Sequence, residues 1–408
     1  MITGNPEGVI EVDGGVCAPA GFLASGVACG IKKDGSKDLA LLYSLYPADA
    51  AGVFTTNALE AAPVTLTRER LAGGRVRAVL VNSGIANAMT GSRGMHDAIE
   101  TAGEAEQRLG LSPGEVLVAS TGVIGEYLPM GLLVPGIQDA AGALDRLGHA
   151  DAARAILTTD TRAKELALEM DAGCGKVRIG GMAKGSGMIH PDMATMLCFI
   201  TTDADLDPGT IRAWLRQAVD ESFNRLTVDG DQSTNDMVLM LANGAASPGG
   251  RELSRKEEEV FRQALCLLAR RLAYEMARDG EGTTRVLNVA VRGARSNQDA
   301  FRVARAVASS SLVKCAMHGA MPSWGRVAAA AGSAGVKLDA GSVSIFFGSH
   351  RVAHCGVADE FDPEGVSALL ASGHVDITVD LGSGTGVSSY LSTDITGEYV
   401  RFNSLKKS

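Results

Sequence analysis

Residues 181–197 read GMAKGSGMIHPDMATML, a glycine-rich loop that leads directly into an apolar strand. The glycines allow the backbone to fold tightly, and Pro191 followed by Asp192 is typical of a turn. Thr195 comes after the small residue Ala194 and opens a predicted strand over 196–201. A threonine hydroxyl is a poor nucleophile unless a base removes its proton. The stretch therefore indicates a nucleophile only if the chain also supplies a base.

A threonine supplies its own base if it becomes an N-terminal residue. The Thr195 hydroxyl would attack the carbonyl carbon of Ala194, the peptide bond would shift to an ester, and hydrolysis would free an α-amino group. The reference pKa of an α-amine is about 7.7–8.0, which suits a general base at neutral pH. The small side chain of Ala194 leaves room for this attack. The residues alone leave open an ordinary strand threonine after a glycine loop.

A second candidate is the end of a predicted strand, where residues 119–125 read ASTGVIG. Thr121 and Gly122 would present a hydroxyl and a backbone N–H side by side. Two donors aimed at one point form an oxyanion hole, which stabilises the charge that develops during acyl transfer. The alternative is a plain turn at the strand end. The phosphate-binding pattern Gly-x-x-x-x-Gly-Lys-Ser/Thr does not occur in the chain.

Two further segments carry carboxylates. Residues 229–236 read DGDQSTND, but Met240 stands where a calcium loop needs its closing glutamate, so a hydrogen-bonded turn is favoured over a metal site. Residues 278–284 read RDGEGTT, and Glu281 between two glycines is accessible to a ligand amine. The alternative there is a helix cap followed by a polar turn.

The hydrophobic pattern indicates a mixed α/β protein. Strands are predicted over 76–82, 116–120, 196–201, 286–291, 343–347, 375–379 and 398–402. Helices are predicted over 96–109, 207–226 and 254–276, with another from residue 298. Ser254 and Glu257 form a capping-box pattern at the start of the long helix. We expect a domain boundary after this helix, which divides the chain into residues 1–284 and 285–408.

Composition excludes several classes of protein. The 408 residues include 46% hydrophobic and 21% charged residues, as in an ordinary globular protein, so most of the chain should be ordered. The net charge of −9 opposes binding to nucleic acid or anionic membranes, and 4% aromatic residues argue against a base-stacking surface. The 50 glycines have no period, which excludes collagen.

The cysteines and the N-terminus favour the cytoplasm. Seven cysteines are scattered without a Cys-x-x-Cys pair, which is typical of reduced thiols. Residues 1–7 have neither a positive nor an apolar region, so we expect no secretory signal, and no apolar run approaches the roughly 18 residues of a membrane span. His350 and His354 have metal-ligand spacing but lie in a predicted strand-turn-strand, and we expect no metal site.

Taken together, these motifs resemble the ornithine acetyltransferase (glutamate N-acetyltransferase) family of arginine biosynthesis. The resemblance covers nearly the whole chain. It is carried by residues 184–195 (KGSGMIHPDMAT) and 119–125, and by GGVCAPAGF at 14–22, AGVFTTN at 51–57, NSGIANA at 82–88, TTDT at 158–161 and DGDQSTND at 229–236. Each motif is weak alone, but their order along the chain is specific.

The resemblance implies a layered α/β sandwich of the self-processing N-terminal nucleophile type, with a catalytic domain over 1–284 and a smaller C-terminal α/β domain over 285–408. It implies cleavage between Ala194 and Thr195 into an α chain, 1–194, and a β chain, 195–408, which assemble as α2β2. Thr195 would carry the acetyl group of N-acetyl-ornithine to glutamate. Thr121 and Gly122 would form the oxyanion hole. The substrate site would be lined by Thr158, Lys184, Thr195, Glu281, Asn403 and Ser408.

An amino-acid substrate needs a cation for its carboxylate and an anion for its side-chain amine, and Lys184 and Glu281 supply one of each. We expect no cofactor, while acetyl-CoA as a co-substrate is left open by the sequence. Two other functions also stay open: a self-processing amidohydrolase or aminopeptidase with water as acceptor, and an uncut protein that binds acylated amino acids. We expect no nucleic-acid or membrane partner.

Overall fold

Two β-sheets, each covered by helices, organise the protein. The computed structural model describes residues 4–173, 175–190, 196–247 and 252–405, and within these residues one sheet has nine strands and the other six. No helix in these ranges combines the length and the apolar character that a membrane crossing needs. The predicted α/β class is confirmed.

The nine-stranded sheet is formed before residue 243. Its strands are β1 (Val9–Val12), β2 (Phe22–Val27), β3 (Leu39–Phe54), β4 (Val76–Ile85), β5 (Val116–Val123), β6 (Lys164–Ala172), β7 (Gly175–Lys184), β8 (Leu197–Thr202) and β9 (Met237–Ala242). The helices of this part are α1 (Ala62–Leu71), α2 (Gly91–Leu109), α3 (Met130–Gly142), α4 (His149–Ala155), α5 (Pro208–Asp220) and α6 (Arg255–Arg278).

The long strand β3 divides this sheet into two layers. Its first half pairs with β2 and β4, and β5 joins β4 in parallel. Its second half pairs with β9, from which β8, β7, β6 and β1 follow in that order. Because β3 belongs to both layers, the sheet continues from one layer into the other along this strand. The two layers therefore pack face to face.

Alternation along the strands produces four layers. In β8, Leu197 and Phe199 join the core between the two sheet layers, whereas Cys198 and Ile200 join the core formed with α5 and α6. In β4, Ala78 and Leu80 point away from the core between the two sheet layers and pack against α3, on the outer side of the other layer. Because successive strand side chains point to opposite faces, a continuous apolar run serves two cores at once. The result is a helix–sheet–sheet–helix sandwich, as predicted.

The second sheet lies in the C-terminal part and begins at Val286. Its strands are β10 (Val286–Ala294), β11 (Ser344–Phe347), β12 (His350–His354), β13 (Val357–Ala358), β14 (His374–Asp380) and β15 (Gly386–Thr393), in the order β13-β12-β11-β14-β10-β15. Its helices are α7 (Asn297–Ser309), α8 (Ser311–His318), α9 (Trp324–Gly332), α10 (Pro363–Leu370) and α11 (Gly397–Leu405). The smaller C-terminal α/β unit is thus confirmed, whereas the boundary at 284/285 stays a prediction.

The predicted strand over 398–402 is wrong, because these residues belong to helix α11. The hydroxyl of Thr396 accepts a hydrogen bond from the backbone N–H of Tyr399 at 3.1 Å, which is the geometry of a helix N-cap. A cap of this kind fixes the first turn of a helix. The short alternation of apolar and polar residues that suggested a strand is therefore overridden.

Candidate active site

One cavity of about 930 Å³ opens where the ends of β4, β5 and β7 meet. Every predicted site residue that the structure describes lines this cavity: Thr121, Gly122, Thr158, Lys184, Glu281 and Asn403. The remaining predicted residues, Ala194, Thr195 and Ser408, lie outside the described residues. The roles assigned to all of them stay predictions, but six positions separated by up to 282 residues in sequence converge on one space.

The predicted oxyanion hole lies on the parallel strands β4 and β5, where Gly84 is the partner of Gly122. Gly122 has a φ of +134°, which side chains rarely adopt, and a Cβ there would overlap the backbone of Gly84. Thr121 beside it is buried. The Thr-Gly pair therefore brings a hydroxyl and main chain to the cavity wall in a conformation that requires glycine.

Lys184, at the end of β7, is almost completely buried, with 1% of its surface exposed. Its Nζ lies 3.4 Å from the Thr121 hydroxyl and 3.8 Å from a carboxylate oxygen of Asp160. Burial lowers the pKa of Lys184, and the charge of Asp160 opposes that shift. The lysine is thus a buried donor directly beside the predicted oxyanion hole.

Asp160 connects several groups on this side of the cavity through hydrogen bonds and ion pairs. Sequence analysis gave it no role. Its Oδ1 accepts hydrogen bonds from Lys164 Nζ and from the backbone N–H of Gly185, both at 2.7 Å, and its Oδ2 accepts one from the N–H of Thr158 at 3.2 Å. Burial raises the pKa of Asp160, but Lys184 and Lys164 outweigh it and bring the pKa to about 2. Asp160 therefore stays ionised.

The opposite wall is formed by Glu281 and the C-terminal helix α11. The N–H of Glu281 donates to the carbonyl of Ser186 at 2.8 Å, and Asn403 Nδ2 donates to Glu281 Oε2 at 3.0 Å. A Cβ at Gly187 would overlap the Glu281 carboxylate. The glycine loop before the predicted cleavage site is therefore shaped around this carboxylate.

The segment 229–236 forms a hydrogen-bonded turn rather than an open metal loop. The Asp229 carboxylate accepts bonds from the N–H groups of Met188 and Ile189, at 2.5 and 2.9 Å. Buried Asp236 accepts a bond from the N–H of Met196 at 2.8 Å. Burial raises the pKa of Asp229 to about 6 and that of Asp236 well above its ordinary value. The two carboxylates thus anchor the chain on both sides of residues 191–195.

Comparisons with known proteins identify the family of this chain. A family model described as the ArgJ family matches residues 23–408. This chain belongs to the ArgJ family.

Curated relatives of the ArgJ family match almost the whole chain. The arginine biosynthesis bifunctional protein ArgJ of Symbiobacterium thermophilum is 49% identical over 392 residues, which cover 96% of this chain and 98% of the relative. The protein of the same name from Parasynechococcus marenigrum is 48% identical over 394 residues, 96% of this chain and 95% of its own. A crystal structure of ornithine acetyltransferase complexed with ornithine, from Mycobacterium tuberculosis, is 43% identical, with a TM-score of 0.42, and covers 45% of this chain and 98% of that chain.

Membership of the ArgJ family confirms the family that the motifs predicted. It also confirms the enzyme class, an acetyltransferase of arginine biosynthesis that acts on small molecules. The family favours acyl transfer over the hydrolase that the sequence left open.

Several cavity residues of this ArgJ family member were missed by sequence analysis. Lys32, Lys33 and Asp34 line the cavity, but no motif marked them as functional, and Gln232 lines it from within the quoted segment 229–236 without having been given a role. Asp160 stood inside the quoted segment TTDT, so the family pattern contained a signal for it. Its ion pair with Lys164 is local, four positions along the chain, but that lysine's second ion pair, with Asp279 at 2.6 Å, joins residues 115 positions apart and leaves no local trace.

Proposed function

We propose that this enzyme transfers the acetyl group of N2-acetyl-L-ornithine to L-glutamate, releasing ornithine and N-acetylglutamate. The observation that carries the proposal is the convergence of Thr121, Gly122, Lys184, Glu281 and Asn403 on one cavity in a member of the ArgJ family. Their opposite charges and paired donors suit a zwitterionic amino acid whose acyl carbonyl must be polarised.

The active nucleophile forms by self-cleavage. The Thr195 oxygen attacks the carbonyl carbon of Ala194, the peptide C–N bond breaks, and an ester takes its place. Water then hydrolyses the ester, which leaves a carboxylate on Ala194 and a free α-amine on Thr195. The products are an α chain of residues 1–194 and a β chain of residues 195–408. The freed amine is the general base that the hydroxyl lacked.

Acyl transfer then takes two steps through an acetyl-Thr195 ester. The Thr195 oxygen attacks the acetyl carbonyl, the Thr121 hydroxyl and the Gly122 N–H stabilise the oxyanion, and ornithine leaves with the proton held by the α-amine. The amine of glutamate next attacks the ester, and the Thr195 oxygen regains a proton. Lys184 and Glu281 supply the cation and anion that bind the substrate, and Thr158, Asn403 and Ser408 complete its site.

The chemistry requires no cofactor, because the nucleophile, its base and the oxyanion donors all come from the chain. The same ester forms equally from acetyl-CoA, which we include in the proposal as a co-substrate. We also propose an α2β2 assembly in the cytoplasm. A biosynthetic function that acts on a free amino acid supports this location.

Replacement of Thr195 by alanine tests the mechanism. Thr195→Ala removes the oxygen that attacks in both reactions, so denaturing electrophoresis should show one full-length band and the acetyltransferase assay should show no activity. A variant with normal activity would refute the mechanism.

Incubation of the natural enzyme with N-acetyl-ornithine separates the proposed function from the alternatives. Ornithine should be released together with N-acetylglutamate only when glutamate is supplied. Release of acetate at a rate indifferent to glutamate would instead favour the hydrolase. An uncut chain without turnover would favour the binding protein.

A further inference from the structure

The proposed function sets an unusual requirement on the site. In the first half-reaction the site holds N-acetyl-ornithine, whose side chain ends in an ammonium group. In the second it holds glutamate, whose side chain ends in a carboxylate. One fixed charge at the side-chain end would favour one substrate and repel the other. The cavity must therefore offer charges of both signs at that end.

Among the three lysines that line the cavity, two are committed to the protein. Lys184 is buried and pairs with Asp160. Lys32 donates to the carbonyl oxygens of Lys37 and Leu157 at 2.8 and 2.7 Å. Lys33 is exposed, and the one bond that the structure gives its Nζ is a long contact of 3.4 Å to the carbonyl of Gly30. Because Lys184 is already assigned to the substrate carboxylate that both half-reactions share, Lys33 is the exposed cation that remains for a substrate side chain.

The four carboxylates that line the cavity also differ in how far they are engaged by other groups of the protein. Both oxygens of Asp229 accept backbone N–H groups, and Asp34 Oδ1 accepts the N–H and the hydroxyl of Ser36 at 3.0 and 2.6 Å. Glu281 is bonded to Asn403. Asp231 is exposed, and within the described parts of the chain no hydrogen bond or ion pair engages its carboxylate. Asp231 is thus the carboxylate with neither oxygen engaged among the described residues, and it remains for a substrate side chain.

Glu281 lies beside the glycine loop that leads toward Thr195. Its negative charge acts on Lys184, whose Nζ lies 3.4 Å from the Thr121 hydroxyl. Its carboxylate also packs against Gly187, in the loop that leads toward Thr195. We therefore assign Glu281 to the amine that exchanges the acetyl group, in place of the side-chain amine that the sequence suggested, and this assignment leaves the side-chain end of the substrate to other residues.

We propose that Lys33 and Asp231 are the specificity-determining residues for the two substrate side chains. Lys33 receives the γ-carboxylate of glutamate, and Asp231 receives the δ-ammonium of N-acetyl-ornithine. Because both charges are exposed and unconstrained, each one turns toward water when the other is used. This inference rests on the proposed function and specifies how one cavity serves both half-reactions.

The test uses the two half-reactions separately, since kcat/KM for each substrate of a two-step transfer enzyme reports only its own step. Lys33→Met should lower kcat/KM for glutamate about fivefold and leave that for N-acetyl-ornithine unchanged or raised. Asp231→Asn should show the reverse pattern. With norvaline, an acceptor whose side chain is neutral, Lys33→Met should have no effect. Lys337→Met, at an exposed lysine outside the cavity, is the matched control.

Parallel losses for both substrates, or no change beyond that of Lys337→Met, would overturn the assignment. Binding of glutamate and ornithine to the unreacted enzyme, measured by calorimetry, gives a second readout. Lys33→Met should weaken the binding of glutamate alone, and Asp231→Asn should weaken the binding of ornithine alone. Failure of the proposed function has a different signature, because the unaltered enzyme would then transfer no acetyl group between these substrates.

Discussion

At the scale of the single residue, Gly122 meets two constraints at once. Its positive φ and its contact with the backbone of Gly84 both exclude a side chain. Gly122→Ala should therefore displace the oxyanion donors and lower kcat by about a hundredfold, with little change in KM. Gly125→Ala is the matched control, because Gly125 also has a positive φ, +85°, but has open space around it. An effect confined to KM would argue against an oxyanion hole here.

Asp160 gives a pH prediction. Its folded pKa of about 2 lies below the ordinary value of 3.8, so its ionised form stabilises the fold above that value by about 2 kcal/mol. The stabilisation is lost as the pH falls from about 4 toward 2. Asp160→Asn should lower the melting temperature at pH 5. At pH 3 the difference in melting temperature between the variant and the natural enzyme should be about half as large.

The control for Asp160 is Asp171→Asn, which removes an exposed carboxylate. This change should leave the melting temperature nearly unaltered at both pH values. If the difference between the natural enzyme and Asp160→Asn stayed constant between pH 5 and pH 3, the ionised Asp160 would not be the source of the stability.

At the scale of the element, helix α11 brings the C-terminal part of the chain to the site. Asn403 on this helix donates to Glu281, so Asn403→Ala should free that carboxylate and lower kcat/KM about tenfold without unfolding the enzyme. Ser404→Ala is the neighbouring control, since the hydrogen bond that its hydroxyl makes among the described residues stays within the helix, to the carbonyl of Arg401. Equal losses of kcat/KM for the two substitutions would show that activity depends on the integrity of helix α11 rather than on the Asn403 amide.

Other elements were predictable because local chemistry decides them. The capping box of α6 is present, with the Ser254 N–H donating to the Glu257 carboxylate at 2.7 Å and the Glu257 N–H to the Ser254 hydroxyl. The predicted strands at 76–82 and 116–120 are confirmed as the cores of β4 and β5. The predicted helix over 207–226 is shorter, because α5 ends at Asp220 and a 3₁₀ turn, Phe223–Arg225, follows.

At the scale of the whole molecule, self-cleavage and assembly make a joint prediction. Denaturing electrophoresis should resolve two bands, corresponding to residues 1–194 and 195–408, although the native protein should have twice the mass of the uncut chain by light scattering. The two pieces would stay together because β7 and β8, on either side of the proposed cut, are paired strands that share the buried core. A native mass equal to one chain would contradict the α2β2 assembly.

The sequence by itself determined the helices and strands that have strong local signals. Its motifs also determined the family and pointed to residues that line the cavity. Capping, strand alternation and glycine-bearing turns act over a few residues, so they can be detected in the order of the amino acids. Only the tertiary structure decided which charges are committed to the protein and which are free. Lys164 meets Asp279 across 115 positions, and Lys33 differs from Lys32 only in what the fold places around it. Burial and pairing are properties of the folded chain, because they depend on which distant segments exclude water from a charge.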